Sequence, residues 1–339
     1  MSPSTQLDPA NNKDNSNPTD RRVFVRYDTA NSLSAFFLYT AIGFLILYTI
    51  IQWGREGPSG YSGAFWSYDG HRGLDPSKWR KLIPRTMSDP PNFCGGRSQS
   101  PVWINLTAAL RVVETLHLIN YHDPIDIGNV QTTYEQVQIV NMSGERFAMD
   151  HVGSKYRLKH IDFRFGMSSA GSEHRVDKER FNLEVQLYHY RDGRSRYMRQ
   201  PAVLAISSLF KVTTRCSTNF QDFLQSLLTT SKRQLLFHFD VTKLLPQTSQ
   251  KPIESKSLIG LKSFASYIGS MTVPPCSENV RWYILYEPIE ICLKQFSTLV
   301  EHWEWLKSMS SNGEPNVIVG DNLRPLQPLN DRHVVKSVN

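Results

Sequence analysis

A mainly β chain with short helices is the fold class this sequence predicts, and three patterns predict it. From Tyr156 to Phe165 the chain alternates at period 2, with Ile161, Phe163 and Phe165 on one face and His160, Asp162 and Arg164 on the other. A polar, glycine-containing connection leads to a second alternating run, which separates Leu183, Val185 and Leu187 from Glu184, Gln186 and Tyr188. The third pattern is the apolar run PAVLAISSLFKV, Pro201 to Val212, which reads as a strand buried on both faces. The apolar faces belong to a core, and the polar faces are expected to line a cavity.

Taken in order, residues 1–20 are rich in Asn, Asp, Ser, Thr and Pro, too polar to offset the entropy of ordering, so residues 1–32 are expected to form a disordered cytoplasmic tail. Leu33 to Trp53 then runs without a charged residue, long enough for a bilayer core that needs about 20 helical residues. Its hydrophobicity all round argues against a globular helix. A cleaved signal peptide is the rival reading, although its apolar core usually spans only about 7 to 15 residues. Lys13, Arg21, Arg22 and Arg26 precede the run, whereas Arg55 and Arg72 follow it, which points to a cytoplasmic N-terminus. The expected topology is therefore a single-pass type II signal-anchor with the remaining chain in the lumen or outside; the alternative is secretion after cleavage. GREGPSGYSG, residues 54–63, reads as a linker. Residues 64–335 are expected to form one domain, with 336–339 a tail.

Within that domain, Phe220 to Leu228 has helical spacing, Leu235 to Leu245 alternates like a strand, and Phe296 to Met309 reads as a helix ended by Ser and Gly. With 40% hydrophobic residues the chain can bury a large core, and its net charge of +7 leaves open acidic partners such as sulfated glycans or lipid headgroups. Its basic residues are dispersed and form no nucleic-acid module, so nucleic acid is not an expected partner. One loop does concentrate charge: RDGRSRYMR carries Arg191, Arg194, Arg196 and Arg199 with Tyr197. Such guanidinium groups grip carboxylate or sulfate bidentately, and the competing reading is a solvated loop with no partner. Asn105-Leu106-Thr107 and Asn141-Met142-Ser143 are acceptor sequences for N-linked glycan, plausible if the domain is lumenal. Of the four cysteines, Cys292 lies in a mostly apolar run and reads as a buried thiol; Cys216 is left open.

The two alternating strands do not stand alone. Gln99-Ser100-Pro101-Val102, Gly171-Ser172-Glu173-His174, the loop from Gly269 to Pro275 and the segment from Asp321 to Leu329 occur around them. Together, in this order, they resemble the α-carbonic anhydrase family. The resemblance implies a single domain on a central twisted, mostly antiparallel sheet of about ten strands. It places Asp162, Arg164 and Gln186 at the positions of the three histidines that hold the family's catalytic zinc, so all three ligands are replaced. Glu173, Glu184 and Thr272 match retained neighbours of that site. Thr272 would hydrogen-bond a zinc hydroxide and be oriented by Glu173, while Val273 replaces a second threonine. The family's proton-shuttling histidine falls near Glu145, and Trp282 matches a tryptophan of the site floor. The same resemblance implies a disulfide between Cys94 and Cys276, which fits an oxidising compartment.

The chemistry of the replaced residues argues against catalysis. A catalytic zinc takes about three neutral or anionic donors and leaves a position for water. Arg164 is a permanent cation with no lone pair to offer; Asp162 is expected to pair with it and Gln186 to accept from it. His160 and Asp162 alone make two donors, too few for a rebuilt site, and His189 is expected to be a hydrogen-bonded core histidine. No metal or other cofactor is expected, and the reading is a noncatalytic protein of this family, active as an extracellular or cell-surface binding protein. The alternative is an enzyme with a rebuilt metal site or another cavity activity. Within the family the chain looks most similar to the noncatalytic X/XI carbonic anhydrase-related proteins, which implies a neurexin-type receptor as partner by analogy. It departs from them in its long polar N-terminus and in having His333 where their tail tends to hold a cysteine.

Overall fold

A computed structural model of the chain describes residues 66–68, 73–84, 90–132, 136–166, 171–191, 201–230, 235–252, 258–310 and 321–338. The expected tail, apolar span and linker, together with Arg194, Arg196 and Arg199, lie outside the described residues. Among the described residues no helix is long and apolar enough to cross a membrane.

The chain is dominated by strands: β1 (Trp103–Ile104), β2 (Leu110–Val112), β3 (Leu116–Ile119), β4 (Ile125–Thr132), β5 (Val137–Val140), β6 (Phe147–Met149), β7 (Lys155–Phe165) and β8 (Arg175–Val176). There follow β9 (Leu183–Arg191), β10 (Val203–Thr213), β11 (Leu235–Phe239), β12 (Gln250–Pro252), β13 (Leu258–Leu261), β14 (Phe264–Ser270), β15 (Glu278–Cys292) and β16 (Val335–Ser337). Among the described residues two α-helices, α1 (Thr218–Leu228) and α2 (Leu293–Ser310), complete the frame. Ser217 caps α1 by accepting from Phe220 N, and the helix buries Phe220, Phe223, Leu224 and Leu227.

Among the described residues fourteen strands form one sheet, larger than the ten or so expected. Its central path runs β6-β7-β9-β10-β15-β14, and the pairings are mostly antiparallel. β10 and β15 instead run parallel, with Ala205 opposite Trp282. The sheet continues past residue 335, because β16 joins β14 to β2 and Ser337 is buried.

Both faces of the central strands are covered, which explains the continuous apolar character of β10. One face packs Ile161, Phe163, Leu183, Leu187 and Ile206 against α1 and α2. The other carries Tyr188, Ala205, Tyr267 and Trp282. The alternation of β7 holds from His160 onward, but Tyr156 and Leu158 also enter the first core. A register shift against β9 between Leu158 and His160 places Lys159 as an extra residue and exchanges the two faces there.

Two expectations need correction. Leu235 to Leu245 is strand only as far as Phe239; Asp240 then accepts from Thr242 N and a 3-10 turn follows at Val241–Leu244. A carboxylate that satisfies the backbone locally ends the ladder. Cys292 is no free thiol: it forms a disulfide with Cys216, 76 residues away. The start of α2 is thereby tied to the segment that enters α1. Cys94 and Cys276 form the other disulfide, with Cα atoms 4.8 Å apart.

Candidate functional site

Four residues on two paired strands make up the centre of the site. Asp162 of β7 lies directly opposite Gln186 of β9, and Arg164 lies opposite Glu184, so period-2 alternation brings all four side chains to one face. A tight approach positions the next element. A Cβ on Gly171 would come within 1.9 Å of the Asn182 carbonyl oxygen, so only glycine fits there, and Glu173 and His174 follow it into the interior.

The cluster is closed. Arg164 is 0% exposed and Asp162 1%, and Gln186, Glu173, Glu184 and Thr272 are buried with them. Arg164 Nη2 donates to Asp162 Oδ2 at 2.6 Å, and Nη1 donates to the Tyr68 hydroxyl at 3.0 Å. Its Nε makes a long contact with Gln186 Oε1 at 3.5 Å and stands 3.8 Å from Glu173 Oε2. Gln138 Nε2 donates to the other Asp162 oxygen at 2.7 Å. Gln186 uses both ends of its amide: Nε2 donates to Glu173 and Glu184, and Oε1 accepts from the Tyr188 hydroxyl. The cavity that the polar faces are expected to line is filled at these residues by their own hydrogen bonds.

A second layer fixes the carboxylates. Glu184 accepts from the His174 backbone N at 2.8 Å and from Ser207 Oγ at 2.8 Å, and its Oε1 pairs with His174 Nδ1. The far nitrogen of His174 pairs with the Tyr267 hydroxyl at 2.7 Å. Glu173 Oε1 accepts from the Arg324 backbone N at 2.9 Å. Thr272 Oγ1 sits beside Glu173 and Tyr188 but makes no hydrogen bond of good geometry among the described residues.

The electrostatics follow from burial and pairing. Burial penalises the Arg164 cation, but the groups around it, Tyr68, Asp162 and Glu173, outweigh that penalty and raise its pKa above the usual guanidinium range. Glu173 is raised, chiefly by burial, against the pull of Arg164. Burial would raise Glu184 as well; His174 and then Gln186 outweigh it and bring the carboxyl down to about 2. His160, stacked on Tyr188 at 4.7 Å, is lowered by burial.

The zinc implied by the family resemblance does not fit these residues. Arg164 places a cation among the would-be donors, and one oxygen of Asp162 is already held by that guanidinium. Among the described residues no group of three or more His, Cys, Asp or Glu side chains is arranged to hold a metal ion. His160 Nε2 comes within 3.7 Å of Asp162 Oδ1, which is a pair and nothing more.

Other expected residues lie apart from this cluster. Glu145 is exposed and ion-paired with Arg157. His189 faces the opposite core, where it pairs with the Tyr121 hydroxyl and Leu204 O. Arg191 ends β9 over the Tyr156 ring and donates to the Tyr156 hydroxyl at 2.6 Å, so it is a strand-end residue engaged with its neighbour. Asn105 and Asn141 are both exposed. Sequence reasoning missed Tyr68, Gln138 and Arg324. Tyr68 had a signal in its aromatic segment, where it packs on Trp66 and Trp79, but its contact with Arg164 spans 96 residues.

A family model described as eukaryotic-type carbonic anhydrase matches residues 74–338. Among curated proteins, carbonic anhydrase 1 of Mus musculus is 29% identical over 282 residues, covering 80% of this chain and 97% of the relative.

Proposed function

This chain belongs to the eukaryotic-type carbonic anhydrase family, and from that premise we propose that it is a noncatalytic member acting as a binding protein at the cell surface or outside the cell. The observation that carries the reading is the buried Arg164–Asp162 pair at the position of the zinc ligands. In a family whose chemistry is a metal-bound water with its pKa lowered to about 7, a guanidinium there removes both the donors and the room for the metal. The motif likeness to the noncatalytic X/XI related proteins supports the same reading.

The location outside the cytosol is supported by the uncharged run from Leu33 to Trp53, which we assign as a type II anchor, and by two disulfides in one domain. A partner of acidic character, protein or glycan, is proposed for the arginine loop through Arg194, Arg196 and Arg199, beyond the strand end at Arg191.

Metal analysis of the full chain together with a stopped-flow carbon dioxide hydration assay tests the central claim. The expected result is no stoichiometric zinc and no hydration above buffer. One zinc per chain with turnover would overturn it in favour of a rebuilt site.

A further inference from the structure

In its two-stranded sheet with β8, β1 holds exposed Trp103 and fully buried Ile104, and exposed Asn105 follows it. The indole and the Asn105 side chain are thus both exposed, two residues apart and on either side of the buried Ile104. Both border a groove of about 620 Å³, whose lining includes Ala108, Leu110, Pro328 and Leu329. Leu110 is 56% exposed and Trp103 49%, a large apolar surface to leave facing water.

The side chains there are held in place. Trp103 Nε1 donates to Asp177 O at 2.6 Å, and the Arg175 guanidinium lies over the ring, 5.4 Å from its centre. Asn105 Oδ1 accepts from the backbone N of Thr107 at 3.0 Å and of Ala108 at 3.1 Å. The amide oxygen is thus turned into its own loop, and Nδ2 donates to no protein acceptor among the described residues. Thr107, the third residue of the acceptor sequence, is exposed.

We propose that Asn105 carries an N-linked glycan and that its first N-acetylglucosamine lies in this groove against the Trp103 indole. This rests on the reading that the domain faces the lumen. The donor is a lipid-linked oligosaccharide pyrophosphate. Asn105 Nδ2 forms a bond to C1 of the sugar as the bond from C1 to the pyrophosphate oxygen breaks; Nδ2 loses one proton and the lipid pyrophosphate leaves. A pyranose then reaches from Nδ2 over the neighbouring indole. Its axial C–H face is apolar and suits an aromatic ring, and its hydroxyls stay in water. The attachment also supplies the occupant at high effective concentration, which no free ligand has. The second acceptor offers no such platform: Asn141 follows β5 at φ 49°, and the residue two positions before it is Ile139, fully buried.

The test uses the full chain made in cells with a competent secretory pathway. Glycopeptide mass spectrometry reads the occupancy of Asn105 and Asn141 separately. Oxidative footprinting reads Trp103 in material with its native glycan, trimmed to one N-acetylglucosamine, and fully deglycosylated. T107A serves as a further control, because it abolishes the acceptor while leaving the Asn105 side chain and its turn. The expected result is an occupied Asn105 and a Trp103 oxidised several-fold more slowly in the native and trimmed forms than in the deglycosylated form or T107A. An unoccupied Asn105 overturns the proposal. If Asn141 is then occupied, the lumenal reading survives; if both are bare and Cys94 and Cys276 are reduced, that reading falls too. An occupied Asn105 with Trp103 equally reactive in every form overturns the stacking. Equal protection in every form, T107A included, assigns the groove to another occupant and overturns it as well.

Discussion

Arg164 Nη2 lies 2.6 Å from Asp162 Oδ2, with both side chains fully buried on one face of β7, two residues apart. Neither charge has water to fall back on, so each depends on the other and on the tyrosine and glutamine groups around them. Such a pair is weak evidence for stability as a whole but costly to break from one side.

Arg164→Met is accordingly expected to lower stability by about 3–5 kcal/mol, since Asp162 is left charged and buried. The double variant Asp162→Asn with Arg164→Met should recover part of that loss. Urea unfolding of the single variants and the double measures both, and equal losses in the single and double variants would contradict the coupling.

The groups around the pair permit a gain-of-function test. Asp162→His, Arg164→His and Gln186→His together place three imidazoles on paired strands beside Glu173, Glu184 and Thr272. We expect the triple variant to bind one zinc per chain and to be stabilised by it, by about 2.7 kcal/mol when free zinc is 100-fold above Kd. Thermal unfolding with and without zinc checks this. No metal uptake by a folded triple variant would show that the surroundings no longer suit the ion.

Acid should weaken the fold in two stages. Burial lowers the His189 pKa to about 3. The folded form therefore keeps the ring neutral while the unfolded chain protonates near the usual 6.5. Stability is full above that value and falls by up to about 1.4 kcal/mol per pH unit between 6.5 and 3. Glu184, at about 2 in the fold, adds a second loss from the usual carboxylate range down to 2. Glu173, raised by burial, acts in the opposite direction. Denaturant titrations at several pH values should show a flatter slope between pH 6.5 and 4.5 for His189→Gln, which keeps a polar group opposite Tyr121; an unchanged slope would remove His189 from the account.

Peptide mapping without reduction should recover Cys94 joined to Cys276 and Cys216 joined to Cys292. In the chain-entropy account, loops of 182 and 76 residues contribute about 5 and about 4.5 kcal/mol at most. Cys216 is exposed whereas both partners of the other bridge are buried, so limited thiol treatment should open Cys216–Cys292 first. Preferential opening of Cys94–Cys276 would run against that order.

Capture of partners on intact cells should weaken as salt rises if the arginine loop contributes, through the range where the screening length falls from about 10 Å toward 3 Å. Changing Arg194, Arg196 and Arg199 to Ala should remove the salt-dependent part. A partner held at full affinity by this variant at every salt concentration would exclude the loop while leaving the binding role intact.

The sequence by itself determined the chemical content of the site. Strand alternation is a local property, readable from neighbours two apart, so it placed Asp162 with Arg164 on one face of the first strand and Gln186 with Glu184 on one face of the second; the family resemblance then marked Asp162, Arg164 and Gln186 as the donor positions, now a carboxylate, a cation and an amide. Motif order carried the family, and the polar connection before β9 carried Glu173 and His174. What tertiary structure alone decided is how that face is closed. Tyr68 reaches Arg164 from 96 residues away, Arg324 reaches Glu173 from 151, and Cys216 meets Cys292 across 76. Lys159 exchanges the two faces of β7, the parallel run of β15 beside β10 buries Trp282, and the groove at Trp103 is completed by Pro328 and Leu329. None of these has a local signature, because a residue's pattern of neighbours along the chain says which face it takes and not which distant element will cover it.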